Sequence, residues 1–186
     1  MFLHKVDDLI SLKILELRDA ERIFELTDRS RDYLREWLPW LDMIKSVQDT
    51  EGFIRMSLKG FAEGKSLNTT ILFNGEIVGI AGFNTINQSN KTAQIGYWIG
   101  QEYQGSGIIT KVSKMLTDYA FNKLGINKVE IRVAVENKKS RAVPERIGFK
   151  NEGCIRQSEW LYDHYVDHIV YGMLAEEWNE KLKNKV

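Results

Sequence analysis

Tyr97-Trp98-Ile99-Gly100-Gln101-Glu102-Tyr103-Gln104-Gly105-Ser106-Gly107-Ile108-Ile109-Thr110 joins two segments of different period. Before it, Ala93 to Ile99 is nearly continuous in apolar residues and reads as a buried strand. After it, Ile108, Ile109, Val112, Met115, Leu116, Tyr119 and Ala120 recur at helical spacing, with Lys111, Lys114, Asp118 and Asn122 outward, until Gly125. A glycine turn opening a helix lets backbone N–H groups converge where the helix dipole is positive, which suits phosphate or pyrophosphate. It also suits a turn that merely caps a helix. A dinucleotide fingerprint would need glycine where Thr110 stands, and the Gly-Lys-Ser/Thr ending of a Walker loop is absent.

Working outward, Leu12, Ile14 and Leu17 begin a short apolar element. A helical pattern then opens at Asp19-Ala20-Glu21-Arg22 and stops before Pro39, inside the cluster Trp37-Leu38-Pro39-Trp40. A second helix is expected from about Asp49 to Glu63, with Phe53, Ile54, Met56 and Leu58 inward and Gly64 as its stop. Asn74-Gly75 between Thr69–Phe73 and Glu76–Phe83 signals a hairpin. Val129, Ile131, Val133 and Val135 alternate as a strand, followed by a helix from Lys139 to Ile147 closed by Gly148. Strands are expected at Phe149–Glu159 and Tyr165–Leu174, then a charged tail from Ala175 to Val186 with frayed last residues. The pattern predicts an α+β, three-layer fold, a mixed sheet of six to seven strands flanked by helices, with residues 1–186 as one domain.

The 26 basic and 26 acidic residues balance, which argues against nucleic-acid binding through bulk charge. No run approaches ~20 apolar residues, so no membrane span is expected. The lone Cys154 permits no intrachain disulfide, and Lys5, Asp7 and Asp8 fall where a signal peptide would be apolar. A cytoplasmic protein is expected.

Gln104-Gly105-Ser106-Gly107-Ile108-Ile109 resembles the pyrophosphate loop Gln/Arg-x-x-Gly-x-Gly/Ala of the GNAT superfamily of N-acetyltransferases, with Ile109 where a small residue is usual. Asn137, Ser140, Gly148-Phe149 and Glu152-Gly153 resemble its second block, one helix and one strand downstream. Tyr33-Leu34-Arg35-Glu36-Trp37-Leu38-Pro39-Trp40-Leu41 resembles the aromatic segment of the RimJ/RimL-type branch, which acetylates ribosomal-protein N-termini.

The resemblance implies direct acetyl transfer from acetyl-CoA, as co-substrate, to an amine, with no metal. It implies that the strand Ile95, Gly96, Tyr97, Trp98 and Ile99 splays from its parallel neighbour to admit the pantetheine arm and polarise the thioester through backbone N–H groups. Residues Gln104 to Thr110 would hold the diphosphate, and Arg141 is a further phosphate candidate; Lys111 and Lys114 read as solvated helix positions. Asn137 would bond the pantetheine arm or cap a turn. Many members carry a tyrosine acid seven residues after that Asn, but here Pro144 stands there. Ser140 would then serve the departing thiolate, or cap a helix. Glu159 matches the branch's base, and Trp160 beside it would lower local polarity; it also reads as an exposed strand-end residue. Trp37, Trp40 and Tyr103 would line the acceptor slot. His164-x-x-x-His168 has a metal-like spacing but falls in a turn and strand, and direct transfer gives Cys154 no task. The implied acceptor is a protein N-terminal amine, ribosomal proteins favoured. A small polyamine or aminoglycoside acceptor, or a non-catalytic CoA-binding module, are the rivals. A homodimer is suggested by analogy.

Overall fold

The structure, a computed structural model, describes residues 3–183. The expected fraying of the tail falls on 184–186, and Met1 with Phe2 begins the charged N-terminal stretch; these five lie outside the described residues.

Eight strands form one sheet: β1 (Leu3–Lys5), β2 (Ile10–Ile14), β3 (Leu67–Phe73), β4 (Glu76–Asn87), β5 (Thr92–Ile99), β6 (Lys128–Ala134), β7 (Lys150–Leu161) and β8 (His164–Leu174). Their spatial order is β1-β2-β3-β4-β5-β6-β8-β7. Only β5 and β6 are parallel neighbours; every other pair is antiparallel. The helices are α1 (Ala20–Arg29), α2 (Arg31–Arg35), α3 (Val47–Ala62), α4 (Ile108–Asn122), α5 (Lys138–Ile147) and α6 (Ala175–Lys183).

Successive residues of a strand point to opposite faces, and both faces here are covered. Ile71 belongs to the larger core with Val112, Leu116 and Trp178, whereas the next residue, Leu72, packs with Leu15, Ile23 and Ile54. Thus α4 and α6 cover one face while α1 and α3 cover the other. The β3–β4 turn has positive φ at Asn74 (52°) and Gly75 (84°), as the Asn-Gly pair requires.

Three expectations need correction. The sheet has eight strands rather than six to seven, because β1, whose His4 and Lys5 hide it, pairs with β2. Met56 does not face inward: it is 76% exposed, while Thr50, Ile54 and Ser57 make the buried stripe of α3. The charged tail contains a helix, α6, whose Trp178 is 2% exposed, lies 6.3 Å from the Phe121 ring and donates its indole N–H to Asp118. Trp178→Ala should therefore lower unfolding stability by about 3–5 kcal/mol, read as an earlier urea midpoint.

Candidate functional site

The parallel pairing of β5 and β6 ends at Ile95↔Ile131. Beyond it β6 stays paired with β8 through Ala134↔His168, and β5 stays paired with β4 through Gly79↔Ile99. The two strands therefore splay, and alternate residues between Gly96 and Ile99 present backbone groups to the gap. Gly96, Tyr97 and Trp98 line one side of a cavity of about 690 Å³, and Arg132, Val133 and Ala134 line the other.

Past the end of β5, a short 3-10 turn (Gln101–Tyr103) leads into the glycine loop. Gly105 (φ 73°) and Gly107 (φ 76°) are left-handed, a region that side chains disfavour. Gly107 is the N-cap of α4 and supplies no side-chain cap. The N–H groups of Ile108, Ile109 and Thr110 precede the first helical bond, Lys111 N to Gly107 O, and are open donors. Ile109 packs its side chain against the main core, leaving its backbone at the loop surface. Gln104 adds a second observation: its Nε2 is buried without a partner, while its Oε1 accepts from Lys139 Nζ at 3.3 Å. Ser106 donates its hydroxyl to Tyr103 O, which tightens the loop. Open helix donors, an orphan amide and a nearby ammonium suit a phosphate oxyanion.

At the far end of β6, Asn137 caps α5, its Oδ1 accepting from Ser140 N at 3.1 Å. The cap is thus Asn137, and Ser140 stands in the first turn. Pro144 lies inside α5 and has no N–H to give the Ser140 carbonyl four residues earlier. The Tyr97 hydroxyl takes that place, donating to Ser140 O at 3.0 Å. Ser140 Oγ in turn donates to the Tyr97 hydroxyl at 3.2 Å. Burial pushes the Tyr97 phenol pKa up, so it remains a neutral hydrogen-bonding group.

Glu159 reaches the same cavity by a bulge. Ile155 pairs with His168 and Glu159 with Val166, so three β7 residues oppose one on β8. The bulge turns on Gln157, at φ 48°, whose N–H donates to Asp167 Oδ1 at 2.7 Å. Regular pairing would set residue 157 opposite Val166; the bulge sets Glu159 there, two residues along β8 from His168 and on the same face. Glu159 Oε2 lies 3.5 Å from His168 Nε2, and both side chains line the cavity.

The acceptor side of the cavity is apolar, with Trp37, Trp40, Met43, Phe53 and Met56 on its wall. Trp40 sits 6.2 Å from Trp98. This aromatic segment is clamped to the β7–β8 turn: Arg35 stacks 3.8 Å over the Tyr162 ring and binds Asp42 through two nitrogens, and Tyr162 donates to Leu38 O. A separate depression of about 610 Å³, lined by Asp32, Glu36 and Asp163, flanks the clamp.

The fold thus brings Trp37, Trp40, Gly96, Asn137, Ser140 and Glu159 to one cavity, with Gln104 to Thr110 beyond the end of β5. Three expected placements differ. Arg141 is directed to Tyr171 (3.0 Å) and the Val135 carbonyl (2.9 Å), so its guanidinium is engaged away from the glycine loop. Tyr103 packs against the core beside Gly100, and does not line the acceptor slot. Trp160 is exposed and stacked edge-on with Tyr165 at 4.8 Å, on the opposite face from Glu159; the polar neighbour of Glu159 is His168. His168, Lys139 and the Tyr97 side chain were not singled out for these places, since only the bulge, the fold of α5 and Pro144 give them meaning.

The chain matches the family described as the Acetyltransferase (GNAT) domain over residues 10–150. It is 38% identical over 180 residues to a putative ribosomal N-acetyltransferase, YdaF, of Bacillus subtilis, covering 96% of this chain and 98% of that protein. Among solved structures it is similar to RimL, a ribosomal L7/L12 alpha-N-protein acetyltransferase in complex with coenzyme A, with a TM-score of 0.91, 26% identity, and coverage of 95% and 99%. It is also similar to the microcin C7 self-immunity acetyltransferase MccE in complex with acetyl-CoA and AMP, with a TM-score of 0.87, 31% identity, and coverage of 91% and 94%. With its splayed parallel strands and uncapped glycine loop, the chain belongs to the GNAT acetyltransferase family.

Proposed function

We propose that the protein is an acetyl-CoA-dependent N-acetyltransferase acting on a protein N-terminal α-amine, ribosomal proteins being the favoured acceptors. The observation that carries this reading is the cleft between β5 and β6, with phosphate-type donors at one end and an apolar aromatic cavity holding Glu159 at the other. Bound acetyl-CoA would supply an activated acyl carbon. Gln104 to Thr110 would hold its diphosphate through backbone N–H groups, with Gln104 Nε2 as a further donor. The backbone of Ile95 to Ile99 would bond the pantetheine arm and polarise the thioester, a type of contribution of about 3 kcal/mol. Asn137, whose Oδ1 is committed to the helix cap, keeps its amide N–H for the arm. Ser140 would serve the departing sulfur, oriented by Tyr97. Glu159 would serve the removal of a proton from the amine.

Relatives named as ribosomal N-acetyltransferases support the acceptor class. The cavity wall supports it too. Its other carboxylate, Asp49, accepts from Ser46 and from Lys45 N, leaving Glu159 as the carboxylate available to a ligand cation. A polyamine presents several cations and would need several such groups. A single amine followed by less polar atoms suits one carboxylate with a wall of tryptophan and methionine.

Labelled acetyl-CoA incubated with N-terminal peptides of ribosomal proteins should label the α-amine, and an acetyl-blocked peptide should stay unlabelled. Labelling of spermidine in preference to every peptide would overturn the acceptor assignment. Gly107→Ala should weaken acetyl-CoA binding about tenfold in calorimetry, because the left-handed N-cap is then strained. Tyr97→Phe should lower kcat about 10-fold while leaving KM for acetyl-CoA nearly unchanged, since it frees Ser140 without touching the diphosphate loop.

A further inference from the structure

Three histidines occur in the chain, and one of them, His168, lines the cavity. Its Nε2 faces Glu159 Oε2 at 3.5 Å, and its Nδ1 makes no hydrogen bond to a described residue. Its side chain is only 15% exposed, so packing holds the ring in place. Catalytic hydrogen bonds are often long before a substrate binds, and a carboxylate facing one ring nitrogen orients the other to accept. As a residue type, a neutral imidazole is the side chain best suited to accept and pass on a proton at neutral pH, and a carboxylate behind it balances the charge that it gains. Proton transfer is most effective when the acceptor titrates near the working pH.

We propose that His168 accepts the proton of the acceptor amine, with Glu159 orienting its imidazole and balancing the charge it gains. This rests on the transferase reading above and changes the part Glu159 takes in it. The ammonium gives one proton to His168 Nδ1, directly or through one water. The freed nitrogen pair bonds to the thioester carbon, and the C–S bond breaks with its pair left on sulfur. The nitrogen's second proton ends on that sulfur by way of Ser140 or solvent.

The other charged groups facing the cavity are already matched. Arg132 on β6 binds Glu130, and Asp49 on α3 is held ionised by the Ser46 hydroxyl. Asp167, next to His168 on β8, accepts from Gln157 N and supports the bulge. The Glu159–His168 pair is thus the charged pair of the cavity wall that the acceptor meets without another partner in place.

The test compares the parent protein with His168→Gln, His168→Asn and Glu159→Gln, measuring kcat/KM against pH for an N-terminal peptide, and acetyl-CoA binding by calorimetry. The parent should show an acidic limb that depends on His168. His168→Gln and His168→Asn should each lose about 100-fold in kcat/KM at neutral pH. In both, activity should rise instead toward the amine's own range, with acetyl-CoA binding unchanged. Glu159→Gln should keep the limb and lose less. A His168→Gln enzyme with the parent's kcat/KM and the parent's limb would overturn the proposal while leaving the transferase reading intact. A parent protein that binds acetyl-CoA yet acetylates no amine would overturn the transferase reading, and this proposal with it.

Discussion

A sheet normally satisfies its backbone by running each ladder to the strand ends, and here one ladder is cut short. Pairing of β5 with β6 stops at Ile95↔Ile131 although both strands continue. The backbone groups beyond that point have to meet water or a ligand, because burying them unpaired would be costly. The outer strands hold the splay open: β4 stays on β5, and β8 stays on β6 as far as Ala134. Every site element is placed by this divergence. The glycine loop leaves β5 on one side, Asn137 follows the end of β6 on the other, and the cavity lies between.

Pro144 shows how a proline inside a helix is accommodated within such a frame. A proline in a helix removes a donor and leaves a carbonyl four residues back without its bond. In α5 that carbonyl belongs to Ser140, and Tyr97 supplies the missing donor from across the gap. The hydroxyl of Ser140 completes the exchange by donating to Tyr97. Pro144, by leaving that carbonyl without a helical donor, therefore leaves Ser140 tied to Tyr97, on the strand that opens the cleft. The same bonds brace α5 against β5 at the narrow end of the gap.

Much of this was legible in the sequence, and what escaped has physical reasons. The strand–glycine loop–helix unit was readable because periodicity changes across it and because φ above zero demands glycine at 105 and 107. The Asn74-Gly75 hairpin was readable for the same reason. Strand β1 was not, since a three-residue edge strand carrying His4 and Lys5 has no apolar pattern. Helix α6 escaped because its charges mask Trp178, the side chain whose burial docks it among the described residues. Arg141 looked like a phosphate ligand by position, but α5 turns it toward Tyr171 and the end of β6. One-dimensional spacing carries no information about which way a helix faces when its neighbours are set by the sheet.

The bulge at Gln157 is the clearest case of a juxtaposition hidden from linear reading. Glu159 is nine residues from His168 in sequence, and regular pairing from Ile155↔His168 would have set Glu159 beyond the reach of that ring. Two extra residues in β7 move it back by about 7 Å, two strand steps. The cost is a non-glycine residue at positive φ, and the bond from Gln157 N to Asp167 offsets part of it. The strained residue lies in the edge strand β7 and is secured by Asp167, the neighbour of His168, so the bulge fixes where the Glu159 carboxylate stands relative to that ring. Carboxylate and imidazole therefore form one pair in space, built by the β7–β8 hairpin on the wall of the cavity that Trp37 and Trp40 also line.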